Sequence, residues 1–151
     1  MKYYKISNFS FSILDRMLDL VGKKCNKIFL TELSTINEKI LLTELKEYIL
    51  DSKRVTIWDG TEIAAGENRI EGVIPEEELP LQHLIECNEA TIELIKKYNN
   101  LQKRGIFTRS SHFDIAFYHD DDCYFFTTAH EDSICIKEDF YRELKDSIKK
   151  L

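Results

Sequence analysis

Three of the four histidines, His112, His119 and His130, fall in one stretch, SHFDIAFYHDDDCYFFTTAHEDS (residues 111–133), and each is followed within two residues by an acid. Imidazole titrates near neutrality and a carboxylate can orient it. Such pairs could therefore hold a divalent metal or supply the acid and base of a phosphodiester cleavage. His112 and His119, seven apart, point to opposite sides of a regular strand and cannot serve one site. If Asp120, Asp121 and Asp122 form a three-residue loop, however, His112 falls opposite His130 and Asp114 opposite Thr128. Two imidazoles and a carboxylate then share a face at the open end of a hairpin. A change of register by one residue sets His130 opposite Ser111 or Phe113 and dissolves the trio. His112, Asp114 and His130 are thus the catalytic candidates for hydrolysis of RNA or another phosphoester. Against them stands the simpler reading, in which the histidines finish strand ends and the aspartates form a solvated turn.

No other local pattern carries chemistry. With five scattered glycines there is neither a P-loop nor a dinucleotide fingerprint, and no G-x-S-x-G elbow or H-E-x-x-H helix is present. Cys25, Cys87, Cys123 and Cys135 are widely spaced, without a C-x-x-C pair, and read as reduced, small apolar side chains. His83 has no nearby partner in sequence and calls for no special role. Trp58 reads as a core anchor in preference to an exposed interface aromatic. The sequence therefore assigns no metal and no cofactor.

The elements that would position these residues follow from periodicity. Residues 3–7 read as a strand, and Ile13, Leu14, Met17, Leu18 and Val21 recur at helical spacing up to Gly22. Residues 27–33 read as a strand. A helix follows from the capping-box spacing of residues 35–38, with Ile36, Ile40, Leu41, Leu45, Tyr48 and Ile49 on one side. Residues 54–58 form a strand into an Asp59-Gly60 hairpin turn, with a return near 61–64 and a short extended piece around 68–74. The acidic run 75–80 reads as the entry to a long middle helix whose stripe includes Leu84, Ile85, Ile92, Ile95, Tyr98 and Leu101. Strands over 106–119, 123–130 and 133–136 make an antiparallel meander, and Phe140, Tyr141, Leu144, Ile148 and Leu151 stripe a final helix. The expected fold is one domain over residues 1–151, α/β leaning to α+β. It has a mixed sheet, N-terminal β-α-β-α units and helices on one or both faces.

Charge is unevenly distributed. Residues 59–95 and 110–136 together hold sixteen acids and a single base, Arg69, leaving the other 87 residues with eleven acids and twenty bases. If the two acidic segments meet, they make one negative face that steers a basic partner. Glu76, Glu77, Glu78, Asp120, Asp121, Asp122, Glu131 and Asp132 are then the partner-binding candidates. The same charge would repel a polyanion, so direct nucleic-acid binding is disfavoured. The first residues lack the apolar run of a secretory signal, and nowhere do roughly eighteen apolar residues run together. The expectation is a cytoplasmic protein without a membrane span.

In its size, acidity, Lys/Ile/Asn/Glu-rich composition and lack of a catalytic motif, the chain resembles the immunity proteins of bacterial toxin systems, including contact-dependent inhibition. The resemblance is one of overall character and matches no motif residue by residue. It implies a tight, non-enzymatic inhibitor of a cognate toxin made in the same cell, and the acidic segments point to a basic, nuclease-type toxin domain as the one it neutralises.

Overall fold

A computed structural model describes residues 3–6, 11–32, 40–58, 61–62, 64–66, 73–75, 78–101, 113–128 and 133–149. In chain order the elements are β1 (Tyr3–Ile6), α1 (Phe11–Lys24), β2 (Lys27–Glu32), α2 (Ile40–Leu45) with a 3-10 turn (Lys46–Tyr48), and β3 (Ile49–Arg54). Then come four short strands, β4 (Ile57–Trp58), β5 (Thr61–Glu62), β6 (Ala64–Gly66) and β7 (Val73–Pro75). The chain continues with β8 (Leu81–Glu86), α3 (Glu89–Leu101), β9 (Phe113–His119), β10 (Asp122–Thr128), β11 (Ser133–Lys137) and α4 (Glu138–Lys149).

Seven strands form one sheet in the order β1-β11-β10-β9-β2-β8-β3, and every neighbouring pair is antiparallel. The architecture is α+β, and the mixed sheet expected from the sequence is corrected. Its physical origin is strand insertion. β1, β2 and β3 do run in one direction with α1 and α2 between them, as β-α-β-α units require. But β11, β10 and β9 enter between β1 and β2, and β8 enters between β2 and β3. Alternating directions then satisfy every ladder in the antiparallel pattern. The only parallel pairing among the described residues joins β6 to β7.

One face of the sheet carries the core. Ile28, Leu30, Ile85, Phe113, Ile115, Phe117, Phe125, Ile134 and Ile136 point to this side and are buried against the four helices. α1 presents Leu14, Met17, Leu18 and Val21, all fully buried, at the i, i+3, i+4, i+7 spacing of a helical stripe. It packs between α3 and α4, and α2 packs on α3. Gly22 does not end α1, as its type suggests, but lies within the last turns. A Cβ there would stand 3.1 Å from Cγ1 of Ile92, so glycine permits the close approach of α1 to α3. Phe117 and Phe125 stack at 4.5 Å, and Phe140 of α4 stacks on Phe125.

A second correction concerns the middle helix. Residues 81–86 are a strand, β8, and α3 begins only at Glu89. Leu84 and Ile85 fit a helical stripe by spacing alone, but β8 sits between β2 and β3, where the ladders claim its backbone. The helix start is set by Asn88, whose Oδ1 accepts the Thr91 N–H at 2.9 Å while Thr91 Oγ1 accepts the Asn88 N–H at 2.9 Å. This reciprocal cap satisfies two donors that a helix end otherwise leaves open. The acidic run therefore does not lead straight into α3: Leu79 and Pro80 run into β8, and Glu76 and Glu77 lie outside the described residues. No helix among the described residues is long and apolar enough to cross a membrane.

Candidate functional site

The β9–β10 hairpin has a two-residue turn, Asp120 and Asp121, with Asp122 already paired to His119. The three-residue loop is thereby corrected. A bulge between Cys123 and Phe125 adds one residue to β10, so Phe125 still meets Phe117 and Phe126 still meets Ala116, in the register the longer loop would have set. The bulged residue, Tyr124, turns toward α4, where its ring meets Phe140 at 5.7 Å, and does not share the opposite face with Tyr118 and Phe126. The ladder's last pair is Ala116 with Phe126, and beyond it the Ile115 N–H donates to Thr127 Oγ1 at 3.0 Å.

His112 and His130 lie outside the described residues, so only Asp114 of the expected trio can be placed. It is buried on the face away from the helices. Its Oδ2 accepts the indole N–H of Trp58 at 2.8 Å. Trp58 reaches this position because β4 alternates: Ile57 points out to solvent, 63% exposed, while Trp58 points in. Thr31 and Gln82 flank the pair, with Gln82 Nε2 donating to Thr31 Oγ1 at 3.1 Å. These residues line a cavity of about 10 Å³, room for roughly one water. Asp114 is thus an internal acceptor beneath an aromatic lid.

Of the acids expected to bind a partner, those among the described residues fall at two ends of the sheet. Glu78 precedes the start of β8, level with the open end of the β9–β10 hairpin, whereas Asp120, Asp121 and Asp122 lie at its turn. The length of β9 separates them, roughly 20 Å at strand rise. Glu78 and the turn therefore lie at opposite ends of the sheet. Glu76, Glu77, Glu131 and Asp132 lie outside the described residues. At the turn, Asp120 has a left-handed φ of 51°, which aspartate tolerates. Asn26 holds it from both sides: Nδ2 donates to Asp120 Oδ1 and Oδ1 accepts the Asp120 N–H, each at 2.9 Å. The Asn26 hydrogen bond, helped by nearby His119, holds the Asp120 carboxyl below its ordinary pKa. Lys137 pairs with Asp122. Asp121 is exposed.

One constellation was not foreseen. His83, buried on β8, bonds Ser52 Oγ through Nδ1 at 2.7 Å and Glu32 Oε2 through Nε2 at 2.9 Å. A carboxylate only accepts, so Nε2–H donates to Glu32, and in the neutral ring Nδ1 accepts the Ser52 hydroxyl proton. A hydroxyl, a base and an orienting acid in series is the geometry of an activated nucleophile. Here the hydroxyl lies on an exposed edge strand, and the chain of bonds also satisfies a histidine among apolar neighbours. The three residues are 31 and 51 positions apart, so no short motif announces them. In the strand His83 shares the inward parity of Ile85, where a polar side chain demands partners.

Among the described residues, no three His, Cys, Asp or Glu side chains come together as a metal site. Burial pushes the thiols of Cys25 and Cys87 up to about 12. The chain matches no family model, no curated protein and no solved structure.

Proposed function

We propose that this chain is a non-enzymatic acidic binding protein of the immunity type, which neutralises a basic, nuclease-type toxin domain by occupying its substrate surface. The observation that supports this reading is the β9–β10 turn. Asp120 and Asp121 are exposed, Asp120 is favoured as the anion, and Asn26 fixes the backbone that presents them. Such a turn offers carboxylates where a basic cleft normally holds phosphates, and its prior ordering lowers the entropy lost on binding. Charge at the turn sets the association rate, while aromatic or hydrogen-bonded anchors hold the complex.

The test is stopped-flow association and titration calorimetry against whatever toxin domain the neighbouring genes encode. Association should slow with added salt, and changing Asp120, Asp121 and Asp122 to Asn should slow it by roughly 10-fold. Glu78→Lys, at the other end of the sheet, should leave it within about twofold. Absence of binding, or undiminished toxicity in the presence of this protein, would falsify the proposal. Phosphodiesterase activity lost on changing His112 and His130 to Ala would replace it with the hydrolase reading.

A further inference from the structure

The two edges of the seven-stranded sheet differ. β1 is four residues long, and its Tyr3 and Tyr4 rings pack on Phe126 and Tyr141. β3 is six residues long, exposed from Leu50 through Arg54, with Leu50 62% exposed. Among the described residues no strand pairs with its outer side, and an open edge presents its N–H and C=O groups to any second strand.

Which groups it presents follows from the ladder. The Val55 N–H donates to the Pro80 carbonyl at 3.0 Å, and Arg54, Lys53, Ser52 and Asp51 face Leu81, Gln82, His83 and Leu84. Antiparallel pairs alternate between those that exchange hydrogen bonds and those that do not. Lys53 and Asp51 therefore turn their backbone groups toward β8, while Ser52 and Arg54 turn theirs outward. The 2.7 Å contact between the Ser52 and His83 side chains agrees, because side chains approach most closely in a pair that exchanges no backbone bonds.

We infer that the β3 edge pairs with β3 of a second copy of this chain, antiparallel, about a two-fold axis through Ser52. Ser52 then exchanges both backbone hydrogen bonds with its counterpart. Asp51 of each copy faces Lys53 of the other on the same side of the joined sheet, while Leu50, at the irregularity between Ile49 and Asp51, lies beyond the regular ladder. The register is selected by charge. Sliding by two residues would instead set Lys53 against Lys53, and sliding by one would bring backbone groups that already bond β8. An edge guarded against association carries charges of one sign, which repel their own copies. This edge carries opposite signs at positions related by the axis. Among the described residues, neither Asp51 nor Lys53 makes an ion pair within its own chain. A strand pair this short buries less than the standard protein interface, so the dimer falls at the weak end of the affinity range.

Sedimentation velocity across a concentration series tests this directly, with hydrogen exchange of the backbone amides as a second measurement. The wild-type chain should dimerise reversibly, and the Ser52 and Arg54 amides should gain protection as concentration rises. Lys53→Asp places like charges opposite each other twice and should weaken the dimer at least about 10-fold. Adding Asp51→Lys should restore it. A wild-type monomer up to about 1 mM, a dimer unaffected by Lys53→Asp, or edge amides exchanging equally at all concentrations would each overturn the inference.

Discussion

The two faces of the sheet are buried by different physics. Toward the helices, the inward side chains of β2, β8, β9, β10 and β11 are almost all aliphatic or phenylalanine, and the layer is held by the area it removes from water. On the opposite face, buried positions include Thr31, Asp114 and Thr128. There the cover rests on directional bonds, Trp58 to Asp114 and Gln82 to Thr31. An area-held face tolerates any side chain of the right volume, whereas a bond-held face depends on individual donors. The difference explains how residues as unlike as Trp58 and Asp114 can be both buried and structural.

Removing volume from the helical face should have the largest effect. Phe117→Ala deletes a fully buried ring stacked on Phe125 and should cost about 3–5 kcal/mol in urea unfolding. A loss near that of a surface substitution would mean that the four-helix layer does not hold the sheet. On the opposite face, Trp58→Phe keeps most of the ring but removes the donor to Asp114, and it should cost about 1–3 kcal/mol. If the variant is as stable as the parent, the lid is held by area after all and the contrast between the faces disappears.

Thiol chemistry sharpens the comparison at the smallest scale. Cys25 and Cys87 belong to the helical-side core, whereas Cys135 alternates with Ile134 and Ile136, points to the other face and is only partly buried. Cys135 should therefore be alkylated first at pH 8, with Cys25 and Cys87 reacting only on opening of the core. Burial raises the folded pKa of the latter two from 9.0 to about 12, so folding favours the neutral thiol. Their contribution to stability is full below pH 9 and is lost as pH rises through 12. Replacing both with Ser should flatten that alkaline loss in thermal melts taken across the same window.

Much of the local structure was legible in the chain. The stripe Leu14, Met17, Leu18, Val21 marked α1, and alternation of Phe113, Ile115 and Phe117 against Phe125 marked the core side of the hairpin. Residues 81–86 read as helix because Leu81, Leu84 and Ile85 fall at the i, i+3, i+4 spacing of a helical stripe. The Asn88 and Thr91 cap that separates the two is visible only once the helix start is known. The candidate site was less legible. The sequence marks Asp114 for catalysis, yet Trp58, 56 residues earlier, occupies it, and it marks no role for His83, on which Ser52 and Glu32 converge.

The sequence by itself determined where helices and strands could form and which side of each is apolar, because side-chain periods of 3.6 and 2 are local properties of the backbone. It also determined the uneven charge. Only the tertiary structure decided the order of the strands, and with it everything that depends on neighbours across the sheet. Inserting β8 between β2 and β3 brings Ser52, His83 and Glu32 together and leaves β3 as an open edge. Running β8 and β9 in the same direction sends Glu78 and the Asp120 turn to opposite ends. Pairing partners lie tens of residues apart, and their choice is set by the burial of the whole sheet against four helices. No window of the chain short enough to show a periodicity can contain that information.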